Sequence, residues 1–288
     1  MGSLKRKHFT LRLPHHTLEL GSRTLIMGIL NVTPDSFFDG GRFLNPERAV
    51  DRAWKAADEG ADILDIGGES TRPGSSGIPA EEELRRVMPV LEKLAGYPLP
   101  ISIDTSKAVV AKAALEQGAA LINDVTALSG DARMGAVAAR FRAGVVLMNM
   151  RGSPDTMQKI PCSPDILGEL EQWAHEAVAR AQKSGISSER IILDPGIGFG
   201  KGASQNLEIL RNLDRLAAIG FPVLVGTSRK SFIGAVLKKL SGDRIWGTGA
   251  TVGASIIFGA HIVRVHDVAA MREVADMTDA IISERPTE

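Results

Sequence analysis

The chain has 288 residues with 34 basic and 34 acidic side chains, and a formal charge of zero excludes the basic excess that marks nucleic-acid binders. An apolar share of 44% beside 24% charged residues suits a soluble globular protein with a large core, and no apolar stretch reaches the length of a membrane span. The one cysteine, Cys162, cannot staple a fold and suits a reducing, cytoplasmic setting.

The N-terminal MGSLKRKHF is basic, but the alternating LRLPHHTLEL after it has no apolar core, so it does not read as a secretory signal. It also fails the myristoylation pattern, because Arg6 stands where Ser or Thr is needed. Residues 1–23 read as an extension leading into a small β-hairpin over 9–20. From there on, short apolar bursts stop on residues able to do chemistry. LIMGIL ends on Asn31, DILDI on Gly67, Gly68 and Glu69, PISI on Asp104, and ALI on Asn123 and Asp124. GVVLM ends on Asn149, RIIL on Asp194, PVLVGTS on Arg229 and Lys230, and HIVRV on His266 and Asp267. Continuous apolar runs of this length are the mark of parallel strands buried on both faces.

Helical periodicity fills the gaps, over 46–60, 80–95, 106–117, 131–141, 163–184, 204–219, 230–240, 248–258 and 267–283. Pro46 suits a first helical turn, and Glu81, Glu82 and Glu83 suit the positive end of the second helix. Strand–helix alternation forces parallel neighbours with right-handed crossovers. Eight units close as a single-domain α/β fold spanning 1–288, a (β/α)8 TIM barrel. The C-terminal strand ends of such a barrel open on one face, where barrel enzymes work.

Two long loops on that face carry functional side chains. One follows Asn31 and holds Asp35 and Phe37; the other follows Gly67 and holds Thr71 and Arg72. They read as covers that exclude water, with decorated surface turns as the alternative. Asp104, Asn123 and Asp194 end three different strands and match a flat heterocycle with alternating donors and acceptors. Lys230 is placed to meet a ring carbonyl and keep Asp194 ionised. The same trio would also serve as metal ligands, but the scattered histidines and lone cysteine speak against a dedicated transition-metal site. Arg264 and His266 lie two apart, hence on one side of the last strand, as an anion clamp whose guanidinium can also stack. The alternative is a strand-end ion pair with Asp267. Asn31 is suited to ligate Mg²⁺ carried in by a diphosphate.

GIGFGKGA invites a nucleotide reading and fails it. A P-loop needs Ser or Thr after Lys201, where Gly202 stands, and no acid ends the following strand as a Rossmann unit requires. His175 and His261 read as structural, His15 and His16 as hairpin decoration, and Trp54, Trp173 and Trp246 as helix packing.

Taken in order, MGILNVTPDSFFDGG, DIGGESTRPGS, SIDTSK, INDV, DPGIGFGK, SRKSFIG with GTGA downstream, and RVHDV resemble the dihydropteroate synthases, the pterin-binding barrel enzymes of folate synthesis. The resemblance runs from about residue 25 to 267. It implies transfer of a 7,8-dihydropterin-6-ylmethyl group from its diphosphate ester to 4-aminobenzoate, releasing pyrophosphate. It further implies that Asp104, Asn123, Met148, Asp194 and Lys230 hold the pterin with Arg264 stacked on it. Arg264, His266 and Asn31 with Mg²⁺ then hold the diphosphate. Asp35 and Arg72 join Lys230, Arg264 and His266 as catalytic groups, Asp35 steadying the positive carbon. Phe37, Thr71, Arg72, Phe199 and Ser231 border the aminobenzoate site, the position that sulfonamide drugs mimic. The family suggests a homodimer through the late helices. One departure is Met148-Asn149-Met150, where relatives often have a central histidine; Asn149 receives no catalytic role. Two competing readings are a related barrel passing a methyl group from methyltetrahydrofolate to a corrinoid protein, and a pterin-binding protein without turnover.

Overall fold

The computed structural model describes residues 6–33, 45–70, 74–75, 77–153 and 155–283. Strands β1 (Phe9–Leu13) and β2 (His16–Leu20) form an antiparallel hairpin, with His15 at a left-handed φ of 63° in the turn. Eight parallel strands follow: β3 (Leu25–Asn31), β4 (Ile63–Gly67), β5 (Ile101–Asp104), β6 (Leu121–Asp124), β7 (Gly144–Met148), β8 (Ile191–Asp194), β9 (Leu224–Val225) and β10 (Ile262–Val265). From β3 to β8 each pairs with the next in sequence, β9 pairs with β10, and β10 returns beside β3. A parallel bridge between Leu193 and Val223, with the Leu193 N–H donating to Pro222 at 2.9 Å, brings β8 against β9 and all but closes the ring. The expected α/β barrel with its hairpin is what forms.

Helices α1 (Pro46–Asp58), α2 (Ala80–Lys93), α3 (Ala108–Glu116), α4 (Met134–Phe141) and α5 (Ile166–Lys183) cover the early strands. The later ones are covered by α6 (Ala203–Arg211), α7 (Leu213–Ala218), α8 (Ser231–Leu237), α9 (Ile245–Ile257) and α10 (Val268–Ile282). The Asn45 side chain caps α1 by accepting from the Arg48 N–H, and Asp165 caps α5 through the Gly168 N–H. The single helix expected over 204–219 is two, because Asn212 leaves helical geometry (φ −126°, ψ 30°) and turns its amide back to the Glu208 carbonyl. Trp246 does not pack within the helices as expected; it is 82% exposed. Trp54 meets Tyr97 edge-on, and Trp173 packs on the core. Among the described residues no helix is long and apolar enough to cross a membrane.

Strand alternation divides the side chains into two sets. Ile26, Leu64, Ile66, Ile103, Ile122, Val145, Leu147, Leu193 and Val263 face outward into the main core beneath the helices. Met27, Ile63, Leu121, Val146, Ile192, Leu224 and Ile262 face inward as an apolar floor. Leu11, Leu13 and Leu20 of the hairpin join that floor from below, so the hairpin plugs the N-terminal end of the barrel. A side chain at Gly144 would collide with Leu13, 2.5 Å from where its Cβ would stand. Buried His261 ties the plug in: its Nδ1 accepts from the Val223 N–H at 3.2 Å, and its Nε2 donates to the Lys7 carbonyl at 3.0 Å.

Candidate active site

Counting two residues up from the apolar floor reaches the mouth. Ile63 leads to Asp65, Leu121 to Asn123, Val146 to Met148, Ile192 to Asp194 and Ile262 to Arg264, while Asp104 lies beside Asn123 in register. One layer is greasy and the next is charged, solely because side chains repeat every second residue.

Arg264 is the hub. Its Nε donates to Asp65 and its Nη2 to Asp104, both at 2.6 Å, and Asn123 donates to the same Asp65 oxygen at 3.0 Å. Asp65 is wholly buried, and its second oxygen has no hydrogen-bond partner among the described residues. Burial opposes the charge on Arg264, but the two carboxylates outweigh it and raise its pKa. Burial pushes Asp104 up to about 7 despite Arg264, with Asp65 and Glu83 adding repulsion. Removing one member of such a buried ion group typically costs about 3–5 kcal/mol, because it strands the others. Arg264 therefore does not pair with Asp267, which instead receives Arg229 at 3.0 and 2.5 Å.

Asp194 and Lys230 face the same interior. Burial raises Asp194 to about 6, although the Gly196 N–H at 2.7 Å and the charges of Lys230 and Arg264 pull it down. Burial lowers Lys230 to about 8, with Arg264 repelling it and Asp194 and Asp104 attracting it. Its ammonium lies 3.9 Å from the centre of the Phe199 ring, a cation–π contact. Lys230 is swung inward by a turn in which Arg229 takes a left-handed φ of 59°. Arg244 holds that turn by donating to the Arg229 and Lys230 carbonyls. Met148 and Phe199 sit together with Val125 and Met157 in a small apolar cluster over the mouth. Asn149 spends its backbone on Asp194 and Lys201.

His266, just beyond β10, is oriented by Ser228. The Ser228 Oγ accepts from the His266 backbone N–H at 3.2 Å and lies 2.9 Å from its Nδ1. Either the hydroxyl or the ring nitrogen can be the donor in that contact, and both directions fix the plane of the imidazole. Asn31 stands half-buried at the end of β3, level with Gly67 of β4. Ser231 opens the short α8 on the rim. A hollow lined by Glu69, Asp104, Thr105, Val125, Thr126 and Met150 extends the mouth over β4 to β6. Asp35, Phe37, Thr71 and Arg72 lie outside the described residues.

The structure thus brings Asp104, Asn123, Met148, Asp194, Phe199, Lys230 and Arg264 around one barrel end. Sequence reasoning passed over three contributors. Asp65 had a signal, a lone carboxylate inside an apolar burst, and Ser228 had none beyond its place beside Arg229. Lys201 is the third. Burial lowers its pKa to about 7, and it donates to the Asn149, Gly196 and Phe199 carbonyls, folding the glycine-rich loop that presents Phe199.

Comparison with known proteins places the chain in a family. The pterin binding enzyme family matches residues 27–266. A dihydropteroate synthase of Synechocystis is 48% identical over 263 residues, 91% of either chain. Among solved structures, dihydropteroate synthase of Xanthomonas albilineans with 4-aminobenzoic acid superposes at a TM-score of 0.89 with 41% identity, over 97% of this chain and all of that one. The same enzyme in complex with 7,8-dihydropteroate gives 0.82 at 40% identity, over 91% and 95% of the two chains. The chain belongs to the pterin-binding enzyme family, among the dihydropteroate synthases.

Proposed function

We infer that this chain condenses 7,8-dihydropterin-6-ylmethyl diphosphate with 4-aminobenzoate to give 7,8-dihydropteroate and pyrophosphate. The observation that carries the reading is the charged layer of Asp104, Asn123, Asp194, Lys230 and Arg264 around one mouth, in a chain 48% identical to a dihydropteroate synthase. The ligands bound in the Xanthomonas albilineans structures, 4-aminobenzoic acid and 7,8-dihydropteroate, are the second substrate and the product of this reaction.

In this reading Asp194, Asn123 and Asp104 meet the amino-pyrimidinone edge, and protonated Lys230 donates to a ring carbonyl. Arg264, pinned through Nε and Nη2 in one plane, stacks on the ring. His266, held by Ser228, and Arg264 face the diphosphate. Asn31 is the only metal ligand assigned. A lone amide donor fits an ion that arrives with its phosphates, and among the described residues no cluster of three or more His, Cys, Asp or Glu could hold a resident metal. Mg²⁺ held there would neutralise charge on the departing pyrophosphate.

The C–O bond to the diphosphate breaks first and the pterin ring carries the positive charge, steadied by Asp35. The amine nitrogen then bonds to the methylene carbon and gives up a proton. No activated nucleophile is required; positioning, leaving-group stabilisation and water exclusion suffice. Phe37, Thr71, Arg72, Phe199 and Ser231 border the amine. Homodimerisation and a cytoplasmic setting complete the proposal. The dimer is supported by exposed Val236, Leu237, Leu240, Trp246, Met277 and Ile281 on the α8–α10 side.

The test is pyrophosphate release and dihydropteroate formation from pterin diphosphate, with and without 4-aminobenzoate. Amine-dependent release of both products is expected. Methyl transfer to a corrinoid, or tight pterin binding without turnover, would overturn the reading.

A further inference from the structure

A second ionic cluster lies beside the mouth, and the mechanism above does not use it. Glu69 follows β4 at the start of the loop that carries Thr71 and Arg72. One of its carboxylate oxygens accepts from the Ile78 N–H at 3.2 Å, so a single side chain joins the two ends of the 70–77 segment. The Ser75 hydroxyl adds a bond to the Ser70 carbonyl at 2.6 Å. The other Glu69 oxygen contacts the Lys107 ammonium. Lys107 also donates to Glu83 of α2 at 2.6 Å, and Glu83 is wholly buried. Gly68, the residue before Glu69, is held too: Arg86 of α2 donates to its carbonyl at 2.8 Å.

Lys107 lies three residues after Asp104, and its backbone N–H donates to the Thr105 hydroxyl at 3.2 Å. Asp104 and the neck of the loop are thereby joined through one short, half-buried chain of contacts. Burying Glu83 without a counter-charge would be costly, so Lys107 is obliged to stay in place, and Glu69 is held to it.

We propose that Lys107 and Glu69 are positioning residues that fix the neck of the 70–77 loop to the pterin-holding strand β5, and so set the aminobenzoate half of the site without touching substrate. This rests on the synthase reading given above. It predicts a split between the substrates. Displacing a positioning element by about 1 Å can cost on the order of a hundredfold in rate, so a loss of at least about tenfold confined to the amine is the expected scale.

The experiment compares the wild type with Glu69→Gln, Lys107→Met and Lys107→Arg. Glu69→Gln keeps an oxygen for Ile78 and leaves Lys107 paired with Glu83, so the fold is retained while the link between loop and strand is lost. For each protein KM for 4-aminobenzoate, kcat, and the Kd of pterin diphosphate by calorimetry are measured. Glu69→Gln and Lys107→Met should raise the amine KM by about tenfold or more with pterin Kd within about threefold. Lys107→Arg should recover most of the loss. Should Lys107→Met fail to fold, Glu69→Gln alone decides. An amine KM within about twofold of wild type, or a parallel rise in amine KM and pterin Kd, would overturn the proposal. A wild-type protein that forms no dihydropteroate would overturn the synthase reading instead.

Discussion

At the scale of single residues, the mouth gathers Asp65, Asp104 and Asp194 around Lys230 and Arg264, and burial leaves Asp104 and Asp194 reluctant to ionise. Asp194 must be charged to accept N–H bonds from a ring edge, whereas Lys230 must be protonated to donate. Their pKa values of about 6 and about 8 therefore bracket the pH range in which a pterin is held best. Affinity should fall as pH drops through 6, as Asp194 gains its proton, and again as pH rises through 8, as Lys230 loses one. Each limb approaches about tenfold per pH unit. Asp194→Asn should weaken binding at pH 7 and make the acid limb shallower, leaving the part carried by Asp104, which gains its proton near 7, and leaving the alkaline limb. Calorimetric titration of a pterin across this range checks it, and an unchanged acid limb in the variant removes Asp194 from the pocket.

At the scale of elements, the hairpin is a floor plug whose attachment depends on one neutral imidazole. Burial, with help from Arg6 and His8 and against the bond to Lys7, lowers His261 to about 4. The unfolded chain takes a proton near the ordinary 6.5, so it binds more protons than the native state between those values. The stability from His261 is thus complete above about pH 6.5 and is lost as pH falls toward 4, a total on the order of 3 kcal/mol. His261→Asn keeps an acceptor for the Val223 N–H but loses the donor to Lys7. It should cost about 1 kcal/mol at pH 7 and flatten the acid decline in the urea midpoint. A decline as steep as wild type would show that other groups govern acid unfolding.

At the scale of the whole molecule, the small residues of α9 and the exposed apolar side chains play different parts. Gly249 lies close to Val274 and Met271, and Gly253 close to Thr278, so the small-residue face is spent on α10 within the barrel. The apolar surface left over includes Leu240 at 81% and Trp246 at 82% exposure. Large side chains left exposed together on one region mark an association site. Wild type should sediment as a dimer at micromolar concentration, and Trp246→Glu combined with Leu240→Lys should sediment as a monomer with its thermal unfolding little changed. A monomeric wild type would rule out self-association through this face.

The sequence by itself determined the barrel. Eight apolar bursts separated by helical periods admit few other closures, and the polar residue ending each burst names the working face. Asp104, Asn123, Asp194, Lys230 and Arg264 were legible for that reason, since a strand's end is marked by its own residues. Only the tertiary structure decided who partners whom. Arg264 meets Asp65 and Asp104, 199 and 160 residues away, instead of Asp267 three positions on. Ser228 orients His266 across 38 residues, and Lys107 is shared between Glu69 and Glu83. Periodicity is a local property of the chain and survives in one dimension. The pairing of buried charges is settled by which side chains the closed ring places within about 3 Å, and no spacing along the chain encodes that distance.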